Sequence, residues 1–358
     1  MKHKSNSFSG TELTKTIGSL ASSSTDQDLP AYQPRSILPL SGASYFDDNG
    51  KVRLSGTQHA DFVMRRFAES FSTFHPDIEF SLELFGTQTA TPFLIHDRSL
   101  AVVMGREMSD VEAVPYRKGV SAEPALIRIA HAALSSKNGL ATSLAVYVHH
   151  SNPLEHLTMT DLSRIFTIGN PKGDVSRWGQ IGLNDSWAER LIHPIGTPES
   201  SGFGSYMQRH HFSGRALTPF YEQCVGGKAV LARLADNPAG IAVAAIGGQD
   251  KNLRQIPLAW NESDTFSVGR KDEISNCNYP LGRFLNLYLR HESNRPLDPL
   301  AGEFVRFILS REGQAIVKNQ PEGYLPLKAS LAARERSTLE EWLSAGQKQI
   351  QPRRIDYV

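Results

Sequence analysis

The sequence predicts an α/β protein of two lobes, and three observations carry that expectation. At 358 residues the chain exceeds one ordinary domain, so two lobes around separate cores is the natural organisation. From Lys51 to Leu84 a strand, an amphipathic helix and a second strand follow one another, which implies a parallel sheet with a right-handed crossover. Two apolar stretches, Ala141 to His149 and Tyr279 to Arg290, mark the places where the chain crosses to the second lobe and returns.

The elements follow in order. Lys51 to Gly56 reads as a strand entering a Gly-Thr turn, and Ala60 to Phe74 carries Phe62, Val63, Phe67 and Phe71 at helical spacing. His75-Pro76-Asp77 ends that helix, Ile78 to Leu84 alternates as a strand, and Leu100 to Met104 is a short buried strand. The second lobe runs through a helix at Thr160 to Phe166, a turn at Ile195 to Tyr206 with a helix after it, a segment Gly226 to Asp236, and a buried strand within Asn237 to Ile246. Phe284, Leu285, Leu287 and Leu289 belong to a strand, Leu300 to Val317 reads as one amphipathic helix, and Thr338 to Gln349 as another. Residues 1–48 are rich in Ser, Thr and Gln with scattered Pro, which predicts a disordered or loosely packed arm. The expected divisions are that arm, lobe 1 over 49–143 and 283–330, lobe 2 over 144–282, and a C-terminal helix or tail over 331–358.

Composition narrows the function. Thirty-eight Lys and Arg against 37 Asp and Glu give a formal charge of +1, with no electrostatic footprint for nucleic acid. No apolar run is long enough for a bilayer span. Cys224 and Cys277 either pair once or are plain buried thiols, and the adjacent pairs His149-His150 and His210-His211 point apart, so no metal is expected. No nucleotide-binding loop, nucleophile elbow or zinc-protease motif is present, so no cofactor and no catalytic residue are assigned. Met1 to Ser9 has n-region charge without a following apolar stretch. The expected location is periplasmic or secreted if a signal preceded this sequence and was removed, and cytoplasmic otherwise.

The turn Ile195-Gly-Thr-Pro-Glu-Ser-Ser-Gly-Phe-Gly-Ser-Tyr206 joins an apolar stretch to a helix through small and hydroxyl residues, a construction suited to an anion. The alternative is that Ser200 or Ser201 is a plain helix N-cap. Leu157 to Phe166 with Arg177 to Gly182, Tyr279 to Leu285, Glu312 to Leu327, Leu84 to Phe93 and Val103 to Ser109 accompany it in order. Together these segments resemble the phosphate-type solute-binding proteins over roughly positions 50 to 330.

That resemblance implies a two-lobed, type II periplasmic-binding-protein-like α/β fold with ligand between the lobes, and as partners a small anionic ligand and the membrane subunits of an ABC importer. Carried onto this sequence, the ligand set is Gly56, Thr57, Gly86, Thr87, Thr89, Gly105 and Arg106 from the first lobe, with Thr197, Glu199, Ser200, Ser201, Gly202 and Phe203 from the second. For Thr89 the alternative is a helix cap, and for Arg106 an ion pair with Glu107 or Asp110. The family's anion turn reads Gly-Arg-x-x-x-Ser-Gly-Thr, whereas here Thr197 stands at the Arg place and Phe203 at the Thr place, and Gly105 replaces a Ser. Losing a bidentate guanidinium argues against free phosphate, which stays the lesser alternative, and Phe203 in an otherwise polar turn suggests a ligand with an apolar part, such as a phosphate ester, phosphonate or organic acid. Two other classes remain: an enzyme that recruited the cleft, with Glu199, His210 or His211 as acid–base groups, or a ligand-free interaction module.

Overall fold

The structure, a computed structural model, describes residues 29–37, 42–135, 139–293 and 295–344. Along the chain lie β1 (Val52–Gly56), α1 (Asp61–Phe74), β2 (Phe80–Glu83), α2 (Thr87–Ile95), β3 (Ala101–Met104), α3 (Asp110–Val120) and β4 (Ala125–His131). Then come β5 (Leu144–His149), β6 (Leu157–Thr158), α4 (Met159–Phe166), β7 (His193–Gly196), α5 (Gly202–His210), β8 (Glu222–Gln223), α6 (Gly227–Ala235), β9 (Gly240–Ala245), β10 (Leu253–Gln255), β11 (Leu258–Ala259) and α7 (Lys271–Ser275). The chain closes with β12 (Phe284–Leu289), α8 (Pro299–Ile308), α9 (Arg311–Asn319) and α10 (Ala329–Ser344).

The chain divides into two compact units. The first in sequence, called unit A here, comprises the described residues up to Ser143 and from Arg283 onward, and unit B is Leu144–Gly282. Unit A is built on the sheet β2-β1-β3-β12-β4, in which β1 pairs parallel with β2 and β3, and β12 runs antiparallel to β3 and β4. Strand side chains alternate between faces. Ala101, Val103, Leu285 and Leu287 therefore pack with Phe67 and Phe71 of α1 and Phe304 and Phe307 of α8, while Val102, Met104 and Tyr288 pack with Leu94 of α2 and Tyr116 of α3. Unit B is built on β10-β5-β9-β7-β8, where β7 is parallel to β8 and β9, and β5 is antiparallel to β9 and β10. Its central strands are near-continuous apolar runs, buried from Leu144 to Val148 and from Gly240 to Ala244.

Three expectations change. Leu300 to Val317 is two helices, because Ser310 caps a new start: its Oγ accepts the Gly313 N–H at 3.2 Å. A Cβ at Gly313 would lie 2.3 Å from the Phe307 carbonyl oxygen, so only glycine allows that close turn. The arm is not loose where it is described. Leu29 and Tyr32 are buried in the unit A core, and the Tyr32 hydroxyl donates to Oε1 of the fully buried Glu303 at 2.8 Å. Residues 1–28 and 38–41 of that arm lie outside the described residues. The last helix begins at Ala329, before the expected Thr338, and packs Ala332 and Leu339 on the unit A core, while residues 345–358 lie outside the described residues.

Candidate functional site

In unit A the first-lobe residues collect at the carboxyl edge of the sheet, where α/β sheets commonly place ligands. β1, β2 and β3 run in one direction, so Gly56 at the end of β1, Gly86 after β2 and Gly105 after β3 lie at the same end of three adjacent strands. Gly56 has φ 127°, and a Cβ there would sit 2.1 Å from the Val103 carbonyl oxygen, so the close approach of β1 to β3 depends on glycine. The Gly86 N–H donates to the Gly56 carbonyl at 2.9 Å and the Thr57 N–H to that of Val103 at 2.9 Å, which locks the loops together. Thr57 is buried, and its hydroxyl accepts from His59 N–H at 3.4 Å.

Gly86 to Thr89 is the start of α2 rather than a free loop. Gly86 is its N-cap, Thr87 its first residue, and Thr89 Oγ1 donates back to the Gly86 carbonyl at 2.8 Å. Thr89 therefore braces the first turn from inside the helix.

Arg106 is engaged within its own segment. Its guanidinium forks onto Glu112, at 2.6 Å to Oε2 and 2.8 Å to Oε1, and also donates to the Glu107 carbonyl at 2.9 Å. Both side chains are only 14% exposed. The partner is Glu112, not the Glu107 or Asp110 carboxylates considered from sequence, because Glu112 is held there by a capping box with Ser109, the N-cap of α3. Burial alone would raise the Glu112 carboxyl, but hydrogen bonds from Arg106 and Ser109 outweigh it and hold the group below its ordinary range.

A second cation at this edge was not singled out from sequence. Arg283, 4% exposed, precedes β12 and donates to the Gly105 carbonyl at 2.7 Å and the Thr142 carbonyl at 3.0 Å. Its sequence signal was a charged residue inside the apolar run Tyr279 to Leu289.

In unit B the turn after β7 is internally braced. Ser201 is the N-cap of α5: its Oγ accepts the Gly204 N–H at 3.0 Å and donates to Thr197 Oγ1 at 2.7 Å. Gly204, not named from sequence, matters most for shape, since a Cβ there would meet the Pro198 carbonyl oxygen at 2.1 Å. Tyr221 fixes the other side by donating to the Thr197 carbonyl at 2.7 Å. Ser200 and Gly202 are exposed, and exposed Glu199 accepts from Gln208 Nε2 at 2.6 Å. Phe203 is half-buried and lines a cavity of about 20 Å³ with Phe166, Met207, Phe212 and Leu217, room for one water-sized group.

Of the groups considered for acid–base work, Glu199 lies in that turn and the two histidines do not. His210 and His211 lie at the opposite end of α5 from Ser201, with rings 4.7 and 5.4 Å from that of Tyr206, while Glu199 is held by Gln208. Cys224 and Cys277 are separate, half-buried thiols. Among the described residues no group of three or more His, Cys, Asp and Glu could hold a metal ion, and no helix is long and apolar enough to cross a membrane.

No protein-family model matches this chain. It is 28% identical over 310 residues to the phosphate-binding protein PstS of two Pseudomonas aeruginosa strains, a span of 86% of this chain and 89% of theirs. Among solved structures it is similar to an ABC-type phosphate transport receptor from Vibrio cholerae, with TM-score 0.52 and 19% identity over 77% of this chain and 99% of that one. It is likewise similar to PstS from Borrelia burgdorferi, with TM-score 0.51 and 16% identity over 77% and 98%. The structural likeness shows the binding-protein fold, and the resemblance to phosphate-type solute-binding proteins extends over most of the chain.

Proposed function

We propose that this chain, a relative of the phosphate-type solute-binding proteins, is itself such a binding protein and takes a small anion. The observation that carries the reading is the 28% identity to a phosphate-binding protein along 86% of the chain. The geometry supports it on each unit separately. Unit A offers the glycine-built strand ends at Gly56, Gly86 and Gly105, and unit B offers the Thr197 to Phe203 turn at the N-terminus of α5. Both are backbone-rich and small, as anion recognition through N–H groups requires.

The ligand class is set by what the turn lacks. Thr197 cannot fork onto phosphate oxygens, Phe203 has no hydroxyl, and the Arg106 fork rests on Glu112. A phosphate ester, phosphonate or organic acid fits this set better than free phosphate, because each has an apolar part to set against Phe203 where free phosphate has polar oxygens on every side and no guanidinium fork from this turn to meet them. We propose further that the ligand is handed to the membrane subunits of an ABC importer on the outer side of the membrane, a reading that rests on the relationship to a phosphate-binding protein. Calorimetric titration with phosphate, methylphosphonate, a phosphate monoester and small carboxylates tests the reading. Saturable binding of at least one is expected, and absence of heat and of thermal stabilisation with all of them would overturn it.

A further inference from the structure

We infer that Arg283 is a positioning residue for the Gly105–Arg106 loop, holding its peptide so that the Arg106 backbone N–H is presented outward as an anion donor. The inference rests on the anion-binding reading above but is carried by different atoms. Arg283 donates from one terminal nitrogen to the Gly105 carbonyl at 2.7 Å and from the other to the Thr142 carbonyl at 3.0 Å. Its backbone is fixed as well, with its N–H on Ser143 Oγ at 3.2 Å and its carbonyl accepting from Ala132 N–H at 2.8 Å.

A trans peptide is planar, with its C=O and N–H pointing in opposite directions. Pulling the Gly105 carbonyl onto the guanidinium therefore turns the Arg106 N–H away from it. Among the described hydrogen bonds that N–H has no partner. Glycine at 105 is part of the device: a Cβ there would lie 2.6 Å from the Ala141 Cβ, so a larger residue would push the loop off the segment carrying the Thr142 carbonyl.

The same segment reaches the neighbouring strand-end loop. Ala141 N–H donates to the Tyr324 hydroxyl at 3.2 Å, and that hydroxyl donates to the His59 carbonyl at 3.0 Å, two residues beyond Thr57. Arg283 thus anchors one end of a hydrogen-bonded line running from Gly105 to the loop after β1. Its charge, 4% exposed, sits under the loop without being offered to solvent, so it acts through the peptide rather than by touching ligand.

The test uses Arg283→Lys, which keeps the charge but has a single donor nitrogen in place of the two that Arg283 uses, and Arg283→Met, which keeps neither charge nor donor. Amide NMR of the full chain reads the Arg106 N–H directly, and calorimetry reads affinity for inorganic phosphate and methylphosphonate. In the wild-type protein the Arg106 amide should exchange as an unbonded N–H and shift downfield when an anion is added. Arg283→Lys should move that amide in the unliganded protein and weaken anion binding about tenfold. Should Arg283→Met fail to fold, the Lys variant and the wild-type amide still decide. A Lys variant with a lowered melting temperature but wild-type affinity and an unchanged Arg106 amide would reduce Arg283 to a structural cation and overturn the inference. So would a wild-type Arg106 amide that is protected and unresponsive while an anion binds. If no anion binds, the functional reading falls, and the Arg106 amide in unliganded Arg283→Lys then judges the clamp alone: moved, it stands; unmoved, it fails.

Discussion

Glu112→Gln is the sharpest probe of how the edge of unit A is held. Glu112 receives both arms of the Arg106 fork, at 2.6 and 2.8 Å, as well as the Ser109 N–H and hydroxyl, in a setting where each partner is 14% exposed. Glutamine keeps the shape and an acceptor for Ser109, so most of the helix cap survives and the loss falls on the charged pair. Removing one partner of a fully buried ion pair costs about 3–5 kcal/mol, and partial exposure screens this pair below that range. Hydrogen bonds to charged groups contribute roughly 1.5–3 kcal/mol, so the expected destabilisation is about 2–3 kcal/mol. For a unit of this size that lowers the melting temperature by roughly 4–12 °C.

The sign of the pH dependence follows from the depressed carboxyl. Glu112 titrates below its ordinary value of 4.5 in the fold, so its contribution is present above that value and is lost as pH falls through the lower, folded one. Urea unfolding of wild type and variant between pH 3 and 7 would show the acid limb flattened in Glu112→Gln. A variant within about 0.5 kcal/mol of wild type, or with an unchanged acid limb, would refute the assignment of this pair as a structural brace.

Two further outcomes follow from the packing. Gly204→Ala forces a Cβ to within 2.1 Å of the Pro198 oxygen and should destabilise unit B by about 1–3 kcal/mol in urea unfolding, against the roughly 1 kcal/mol that alanine otherwise adds to a helix; a stabilised variant would contradict the geometry. His131, at the end of β4, is fully buried, its Nε2 has no hydrogen-bond partner among the described residues, and burial with nearby Arg128 and Lys328 pushes its imidazole down to about 3. The unfolded chain takes up a proton below the ordinary value of 6.5 and the fold does not, so stability should fall by up to about 1.4 kcal/mol per pH unit from 6.5 toward 3. His131→Phe should remove that slope, and its persistence would place the titration elsewhere.

Much of the fold was legible because periodicity and punctuation agreed. Phe62, Val63, Phe67 and Phe71 set one face of α1, Pro76 followed its end, and Leu285 and Leu287 alternated as β12 requires. What was missed had mixed signals. α2 carries Pro92 among threonines and so reads as loop, yet burial of Ala90, Thr91 and Leu94 under β3 makes it helix. α3 contains Pro115 and Gly119, and its best mark, the Ser109-to-Glu112 capping box, is a spacing rather than a hydrophobic pattern. β4 alternates, with Ala125, Ile127 and Ile129 buried on one face and the half-buried Leu126 and Arg128 between them on the other, a short run in which the charged residue masks the strand pattern.

At the candidate site, the glycines and the capped Ser201 were readable from residue type. The partner of Arg106 was not, since a carboxylate six residues away becomes its fork only once α3 turns back on the loop. Nor was the place of Arg283, which depends on β12 lying antiparallel beside β3. Tyr32 likewise reads as arm until the Glu303 carboxylate of a distant helix is brought to it.

The central claim, a phosphate-type binding protein whose turn no longer suits free phosphate, is tested most directly by titrating inorganic phosphate into wild type and into Thr197→Arg/Phe203→Thr while a phosphonate and a phosphate ester are run alongside. The account predicts phosphate binding weaker than micromolar in wild type, tighter binding of one of the substituted anions, and a gain of roughly 10- to 100-fold for phosphate in the double variant, the worth of one restored charged hydrogen bond. Micromolar or tighter phosphate binding by the wild-type chain, or a double variant no better than wild type, would contradict it.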